Sequence, residues 1–373
     1  MSTPATEKDA PERILAIDAL RGFDMFWITG GDKLFLAATG LLFLKFPGVQ
    51  AALDHQLHHA PWGERLVFYD LIMPLFLFIV GAAMPFSFSR RLERGDAKGA
   101  IYRKIASRTA ILFVLGMAAQ GNLLRFDLAQ LHIYCNTLQA IAAGYAIGGV
   151  IMLNTGVRGQ CIATAALLIG FWGLLAFAPV PGHAAGVLEK DANIALYVDD
   201  MVLRQFSDGK AYTWVLSSLG FAATVLFGIL SGHVLRSEIS GGARLARLIA
   251  AGVALVLIGE VWNLFHPVIK YIWTPSMVVW TAGWCCLLLG LFYFLIDLRG
   301  YRKWAFPFVV LGANAIVAYM APNFIRFGDI SAVLFSGPDR LGVSGDLLRA
   351  AGAFLLLWAP LYWMYKKKMF VRI

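Results

Sequence analysis

The chain has 373 residues, of which 59% are hydrophobic and only 15% charged, with a mean hydropathy of +0.68 and a net charge of +9. These values exclude an ordinary soluble globular protein, in which about 25% of the residues are charged. The basic excess does not indicate nucleic-acid binding, because most of the Lys and Arg residues fall in alternate connections between apolar stretches. We therefore expect a chain that crosses a bilayer several times.

Apolar stretches long enough to cross about 30 Å of hydrocarbon as helices recur along the chain. They predict an all-α polytopic membrane protein, a bundle of about ten transmembrane helices. Residues 1–13 are polar and are expected to form a disordered cytoplasmic tail, and 14–373 to form one transmembrane domain. The predicted spans are 14–32, 67–89, 105–121, 131–153, 160–178, 212–235, 245–264, 273–296, 305–323 and 347–365.

The charge distribution predicts the orientation of these spans. The connection 89–108 is the most basic part of the chain, and the carboxyl-terminal tail adds Lys366, Lys367 and Lys368. Cytoplasmic loops of membrane proteins are enriched in Lys and Arg. Both termini are therefore expected in the cytoplasm, and the loop of about 45–66 is expected on the opposite side.

The first span carries Asp18, Arg21 and Asp24 at intervals of three, so these residues lie near one face of a helix. Arg21 is expected near the cytoplasmic end, where a guanidinium can tie helices together or bind a phosphate. Gly30 and Gly31 are expected to end the span.

Three of the seven histidines, His55, His58 and His59, immediately precede the apolar run that contains Asp70. A histidine can gain and lose a proton near neutral pH, and an ionisable group inside a membrane span indicates a functional site. The alternative is a solvated interfacial loop in which Asp70 only caps or orients a helix.

Uncharged polar side chains lie near the predicted outer ends of several spans. Such groups can hydrogen-bond a sugar hydroxyl or polarise a carbonyl, although they more often join helices to one another. The connection after the seventh span is also dense in polar and aromatic residues, from Glu260 onward, and is a candidate second wall of the site. The candidate substrate-binding residues are Asn122, Asn136, Gln139, Lys270, Trp273, Ser276 and Asn314.

Five short motifs occur in order along almost the whole chain: AIDALRGFDMFW at 16–27, HAPW at 59–62 before DLIMPLFLFIVG at 70–81, NTLQAI at 136–141, PVIKYIWTPS at 267–276, and GANAI at 312–316. Together they resemble the heparan-α-glucosaminide N-acetyltransferase family, in particular a bacterial branch tied to amino-sugar use. The family's active histidine, in a His-Ala-Ser-Trp context, corresponds to His59. Where the lysosomal member of this family has an asparagine, this chain has Asp32, which could bind the ammonium group of an acceptor.

The resemblance implies a transmembrane acetyltransferase of the bacterial inner membrane. It implies transfer of the acetyl group of cytosolic acetyl-CoA, as a cosubstrate, to the amine of an amino sugar on the periplasmic side. His59 is expected to act as the general base or as an acetyl carrier, with Asp70 orienting it and Asp32 as a further catalytic candidate. Arg21, Lys104 and Arg108 are the candidates to bind the phosphates of coenzyme A.

The expected partners are a small amino-sugar acceptor and the lipid bilayer, with no nucleic acid and no metal. The sequence identifies neither the sugar nor the oligomeric state, for which a homo-oligomer is one option. A permease that moves an amino sugar without acyl transfer is the main alternative, because many spans with polar groups at depth are also typical of transporters.

Overall fold

The computed structural model describes residues 14–120, 123, 126–337 and 342–371. The regular secondary structure of this part of the chain is helical apart from one hairpin, in which β1 (Leu188–Glu189) pairs antiparallel with β2 (Ala192–Asn193). The helices are α1 (Leu15–Phe26), α2 (Asp32–Leu42), α3 (Pro47–Gln56), α4 (Ile72–Glu93), α5 (Lys98–Ala119), α6 (Thr137–Asn154), α7 (Val157–Phe177), α8 (Ile194–Leu203), α9 (Ser218–Arg236), α10 (Gly241–Asn263), α11 (Pro275–Phe292), α12 (Phe306–Ala313), α13 (Ala315–Phe324), α14 (Phe327–Leu334) and α15 (Val343–Lys366).

Seven helices of the described residues are long and apolar enough to cross a membrane. They include α4 with the short turn before it, and α6, α7, α9, α10, α11 and α15. The pair α12 and α13 makes an eighth candidate, bent by 76° at the break between the two helices. This architecture confirms the prediction of an all-α polytopic membrane protein.

The number of continuous spans is smaller than the ten predicted. The first predicted span is interrupted, because α1 passes into α2 through a π-helical segment in which Thr29 and Gly30 have non-helical dihedral angles. Gly30 adopts a φ of 105°, a conformation that favours glycine. In α5 the basic residues Arg103, Lys104 and Arg108 lower the mean hydropathy of the first half. Apolar length alone could not separate these two segments from uninterrupted spans.

The two ends of the bundle differ in the length of their connections. At one end, which we call the basic end, 94–97 joins α4 to α5, 155–156 joins α6 to α7, and 237–240 joins α9 to α10. At the other end, which we call the histidine end, the connections are long and contain α3, β1, β2 and α8. The long connections surround the start of α4 and of α11, where the candidate site lies.

The centre of the bundle is the contact between α4 and α9, and two glycines allow it. A Cβ atom at Gly81 would lie 2.1 Å from the carbonyl oxygen of Val225, and one at Gly228 would lie 2.0 Å from that of Phe78. The backbones of α4 and α9 therefore touch directly, as is common for small residues between membrane helices. This contact fixes α4, which follows the turn that carries Asp70, against the rest of the bundle.

Candidate active site

A closed loop at the histidine end presents His59. Asp70 lies on the 3-10 turn Phe68–Leu71 that leads into α4, and its carboxylate is completely buried. Its Oδ2 atom accepts hydrogen bonds from the backbone N–H groups of Ala60 and Val67, each at 3.2 Å. The carboxylate thus holds both ends of the 60–67 segment, and His59 directly precedes it.

The other carboxylate oxygen of Asp70 brings the side chains of His59 and Lys270 together. Asp70 Oδ1 lies 3.1 Å from Nδ1 of His59 and 2.6 Å from Nζ of Lys270. The same Nζ atom lies 2.6 Å from Nδ1 of His59. The side chain of Lys270 is 6% exposed, whereas that of His59 is 55% exposed. A buried ion pair therefore supports an imidazole that is open to the outside.

Lys270 and Asp70 balance each other electrostatically. Lys270 lies in the connection between α10 and α11, and it reaches Asp70 from a position 200 residues away in the sequence. Burial lowers the pKa of the Lys270 ammonium, and the Asp70 carboxylate opposes this effect. Removing either partner would leave an uncompensated buried charge, which is strongly destabilising.

The protonation of His59 determines what the group can do. When Nδ1 carries a hydrogen, it donates that hydrogen to Asp70 and leaves the lone pair of Nε2 free. An imidazole in this tautomer can take a proton from an incoming group or attack an acyl carbon. When Nδ1 instead accepts from Lys270, Nε2 carries the hydrogen and has no free lone pair. Lys270 thus affects which nitrogen of His59 is reactive.

Aromatic side chains complete the surroundings of the imidazole. The ring of Tyr69 lies 4.9 Å from that of His59, between centroids. The hydroxyl of Tyr271 donates to the carbonyl of Ala60 at 3.2 Å, and the Trp62 ring stacks on that of Tyr271 at 5.2 Å. Sequence reasoning did not select Tyr69 or Tyr271, although each directly adjoins a selected residue, Asp70 or Lys270.

Among the remaining candidates, Asp32 lies in the same region as the His59 loop. It begins α2, and its charge acts on the phenol of Tyr69. Asn122 lies outside the described residues.

Several predicted substrate-binding residues hydrogen-bond within the protein. Asn136 caps α6 through Leu138 N at 2.8 Å and accepts from the Tyr319 hydroxyl at 3.3 Å. Gln139 donates to the carbonyls of Ile133 and Phe113 and accepts from Cys135 N. These bonds attach the start of α6 to its neighbours, so we do not include Asn136 and Gln139 in the proposed substrate site.

Trp273, Ser276 and Asn314 make similar internal bonds. The Trp273 indole donates to the Thr224 hydroxyl, and Ser276 donates to the carbonyl of Pro267. Asn314 lies at the break between α12 and α13 and bonds the backbone of the carboxyl-terminal segment at Met369 and Val371. Lys270 is the member of the predicted substrate-binding group that contacts His59 and Asp70.

The residues predicted to bind coenzyme A phosphates lie toward the basic end. Arg21 pairs with Asp18 at 3.5 Å on α1, and Lys104 is exposed on α5. The Arg108 guanidinium lies 4.5 Å from the centroid of the Tyr145 ring, and its buried Nε atom has no hydrogen-bond partner among the described residues. An orphaned guanidinium N–H at this end suits an anionic oxygen. Arg108 is therefore the best fitted of the three to bind a phosphate.

The fold and the site define a polytopic helical membrane protein with a His–Asp–Lys group at one end of its bundle. The chain is similar to two curated proteins named heparan-alpha-glucosaminide N-acetyltransferase. It is 22% identical to the Mus musculus protein over 429 aligned positions, covering 99% of this chain and 62% of that protein. It is 23% identical to the Homo sapiens protein over 423 positions, covering 97% and 60%.

The chain thus spans about three fifths of the length of these relatives. No family model matches it. The similarity is distant but continuous over nearly the whole chain, and it supports the resemblance read from the five motifs.

Proposed function

We propose that this protein is a transmembrane N-acetyltransferase that moves the acetyl group of acetyl-CoA to the amine of an amino sugar at the histidine end. The observation that carries the proposal is the exposed imidazole of His59, whose Nδ1 atom lies 3.1 Å from the buried carboxylate of Asp70. The similarity to two N-acetyltransferases supports the choice of reaction.

Acetyl transfer to an amine begins with loss of a proton, because an ammonium group has no lone pair to attack a thioester. In the proposed mechanism Nε2 of His59 accepts this proton while Nδ1 continues to donate to Asp70. The free amine forms a C–N bond with the acetyl carbonyl carbon, and the C–S bond to coenzyme A breaks. The imidazolium returns its proton to the departing thiolate, and the acylated nitrogen releases its second proton to solvent.

A covalent route uses the same nitrogen. Nε2 would attack the acetyl carbon first and displace the coenzyme A thiolate, and the sugar amine would then attack the same carbon and displace the imidazole. Trapping protein-bound label from radioactive acetyl-CoA without an acceptor distinguishes the two routes. Label retained on the unaltered protein and absent from His59→Ala supports the acetyl-histidine intermediate.

We propose that the basic end faces the cytosol and that coenzyme A enters there. The last turns of α4 and α9 lie at this end and carry Arg91 and Arg236, which pair with Asp96 and Glu93. Arg108 supplies the orphaned N–H group described above. The basic charge supports this orientation because cytoplasmic loops are rich in Lys and Arg. The acetyl group would then travel through the bundle to His59.

The test is product formation by the purified protein in detergent, with acetyl-CoA and glucosamine. His59→Ala is expected to lower turnover at least 100-fold, because general-base catalysis contributes about 10² to 10⁴ in rate. His58→Ala is the matched control, since His58 lies in the same loop and its exposed imidazole contacts Asp54 and not Asp70 or Lys270. His58→Ala should retain the activity of the unaltered protein.

Two outcomes would contradict the proposal. Full activity in His59→Ala would exclude His59 from the reaction. Uptake of intact glucosamine into proteoliposomes with no N-acetylated product would favour the permease.

A further inference from the structure

A second feature of the histidine end is a cavity of 280 Å³ beside the candidate site. One wall is the 63–66 segment, at the far side of the loop that Ala60 and Val67 close on Asp70. The opposite wall is formed by the end of α10, by 267–268 and by α11. The two segments that bring His59 and Lys270 together therefore also shape this cavity.

The cavity contains a fixed set of polar groups. Oε1 of Glu260 accepts from Arg65 Nη2 at 3.0 Å and from the Trp280 indole N–H at 2.9 Å. Its Oε2 atom accepts no hydrogen bond within the described part of the chain. Asn263 uses its Oδ1 atom to accept from Val268 N at 2.8 Å, which leaves its amide N–H groups available. The cavity thus offers one acceptor and one donor group beside an indole whose orientation is fixed.

The polar lining indicates the chemistry of the ligand. Arg65 pairs with Glu260, and Glu64 also lines the cavity, so the lining is more acidic than basic and suits a ligand that carries an ammonium group as well as hydroxyls. Hydroxyl groups, which both donate and accept, match Glu260 Oε2 and the Asn263 amide. The flat apolar face of Trp280 suits the C–H face of a sugar ring.

We infer that this cavity is a subsite for the hydroxylated ring of the acceptor, which places the amine of the sugar toward His59. The inference rests on the proposed N-acetyltransferase function and adds the way the acceptor is selected. Glu260 and Asn263 bind ring hydroxyls, and Trp280 packs against the ring. The subsite selects a hexosamine over a simple amine, because an amine without hydroxyls leaves the polar groups of the cavity unpaired.

The test is equilibrium binding of glucosamine and of glucose to the purified full-length protein without acetyl-CoA, measured by isothermal titration calorimetry. Trp280→Ala and Glu260→Gln should each weaken the binding of both sugars tenfold or more. Trp284→Ala is the matched control, because this neighbouring indole on α11 is 40% exposed and does not line the cavity. It should change affinity by less than twofold.

The outcomes separate this inference from the proposed function. Unchanged affinity in both variants, or no measurable binding of either sugar to the unaltered protein, would overturn the subsite. Acetyl transfer with an unaltered KM for glucosamine in both variants would overturn the subsite and leave the function standing. Sugar binding that depends on Trp280 in a protein that forms no N-acetylated product would retain the subsite and remove the function. Glu260→Gln preserves the acceptor for Trp280, so it keeps the test valid if Trp280→Ala does not fold.

Discussion

Lys270 changes how the chemistry of His59 is understood at the scale of single residues. Its Nζ atom lies 2.6 Å from both His59 Nδ1 and Asp70 Oδ1, so it competes with the His59 Nδ1 hydrogen for the same carboxylate oxygen. Asp70 is buried with Lys270 as its cation, and the same carboxylate orients the imidazole. The position of His59 therefore depends on an intact Asp70–Lys270 pair.

Replacing Lys270 by methionine should therefore lower both the stability of the protein and acetyl transfer. The Asp70 carboxylate would stay buried without its cation, and breaking a buried ion pair in this way costs about 3–5 kcal/mol. Thermal unfolding in detergent should show a clear loss of Tm. Lys270→Arg keeps the charge and should lose less. Lys210→Met is the control, because Lys210 is exposed and pairs with Asp208. An unchanged Tm in Lys270→Met would contradict this role.

Asp199 is a second buried carboxylate at the histidine end, and its effect should appear in stability. It accepts from Trp214 N at 2.7 Å and from Val215 N at 2.8 Å. Burial, as the largest cause, raises the pKa of Asp199 to about 6. The folded state then binds a proton at Asp199 more tightly than the unfolded state does. The stabilisation that comes from this proton is fully present below about pH 4 and is lost as the pH rises through about 6.

The expected effect of this linkage is at most about 3 kcal/mol, from a shift of roughly two units. Asp199→Asn removes it, so the variant should lack this part of the pH dependence. Thermal unfolding in detergent at pH 5 and pH 7.5 measures the difference. The unaltered protein should gain more in Tm on acidification than the variant, and equal gains would show that Asp199 does not titrate in this range.

At the scale of elements, the glycine contact between α4 and α9 should control stability. Gly228→Ala places a methyl group against the carbonyl of Phe78, so the helices must separate. Overpacking of this kind costs about 1–3 kcal/mol or more. Gly170→Ala on α7 is the control, because a Cβ at Gly170 meets no atom within 4 Å. Thermal unfolding in detergent should show a clear loss of Tm for Gly228→Ala only.

The positions of helices could be predicted from apolar length, but their interruptions could not. The helix α3 lies within the 45–66 segment that was expected to be a loop, and it has no buried residue that would produce a periodic signal. The break at Asn314 depends on bonds to Met369 and Val371. Contacts between distant segments determine such breaks, and a local pattern does not contain them.

The same limit applies to the candidate site. His59 and Asp70 could be selected because titratable groups beside an apolar run are unusual, and the resemblance pointed to the same histidine. The contact of Lys270 with Asp70 joins residues 200 positions apart, so no spacing predicts it. Gln139 shows the converse limit, because an amide that bonds three backbone groups has the same sequence signal as one that binds a substrate.

At the scale of the whole molecule, the proposed reaction needs two ends with different tasks. The basic end has short connections and carries Arg108, whose buried Nε atom has no partner within the described residues. The histidine end has long connections that form the His59 group and the neighbouring cavity. If the basic end faces the cytosol, the donor and the acceptor approach from opposite sides, and the acetyl group crosses the bundle without either substrate doing so.

This arrangement predicts the labelling of introduced cysteines in intact bacterial cells. In a Cys161→Ser background, which removes the exposed native thiol, Ala184→Cys lies at the histidine end and Ala97→Cys at the basic end, and both positions are exposed. A membrane-impermeant maleimide should label Ala184→Cys and not Ala97→Cys, whereas permeabilised cells should show labelling of both. The reverse pattern would place His59 on the cytosolic side. Acetyl-CoA would then reach the imidazole directly, and no passage through the bundle would be needed.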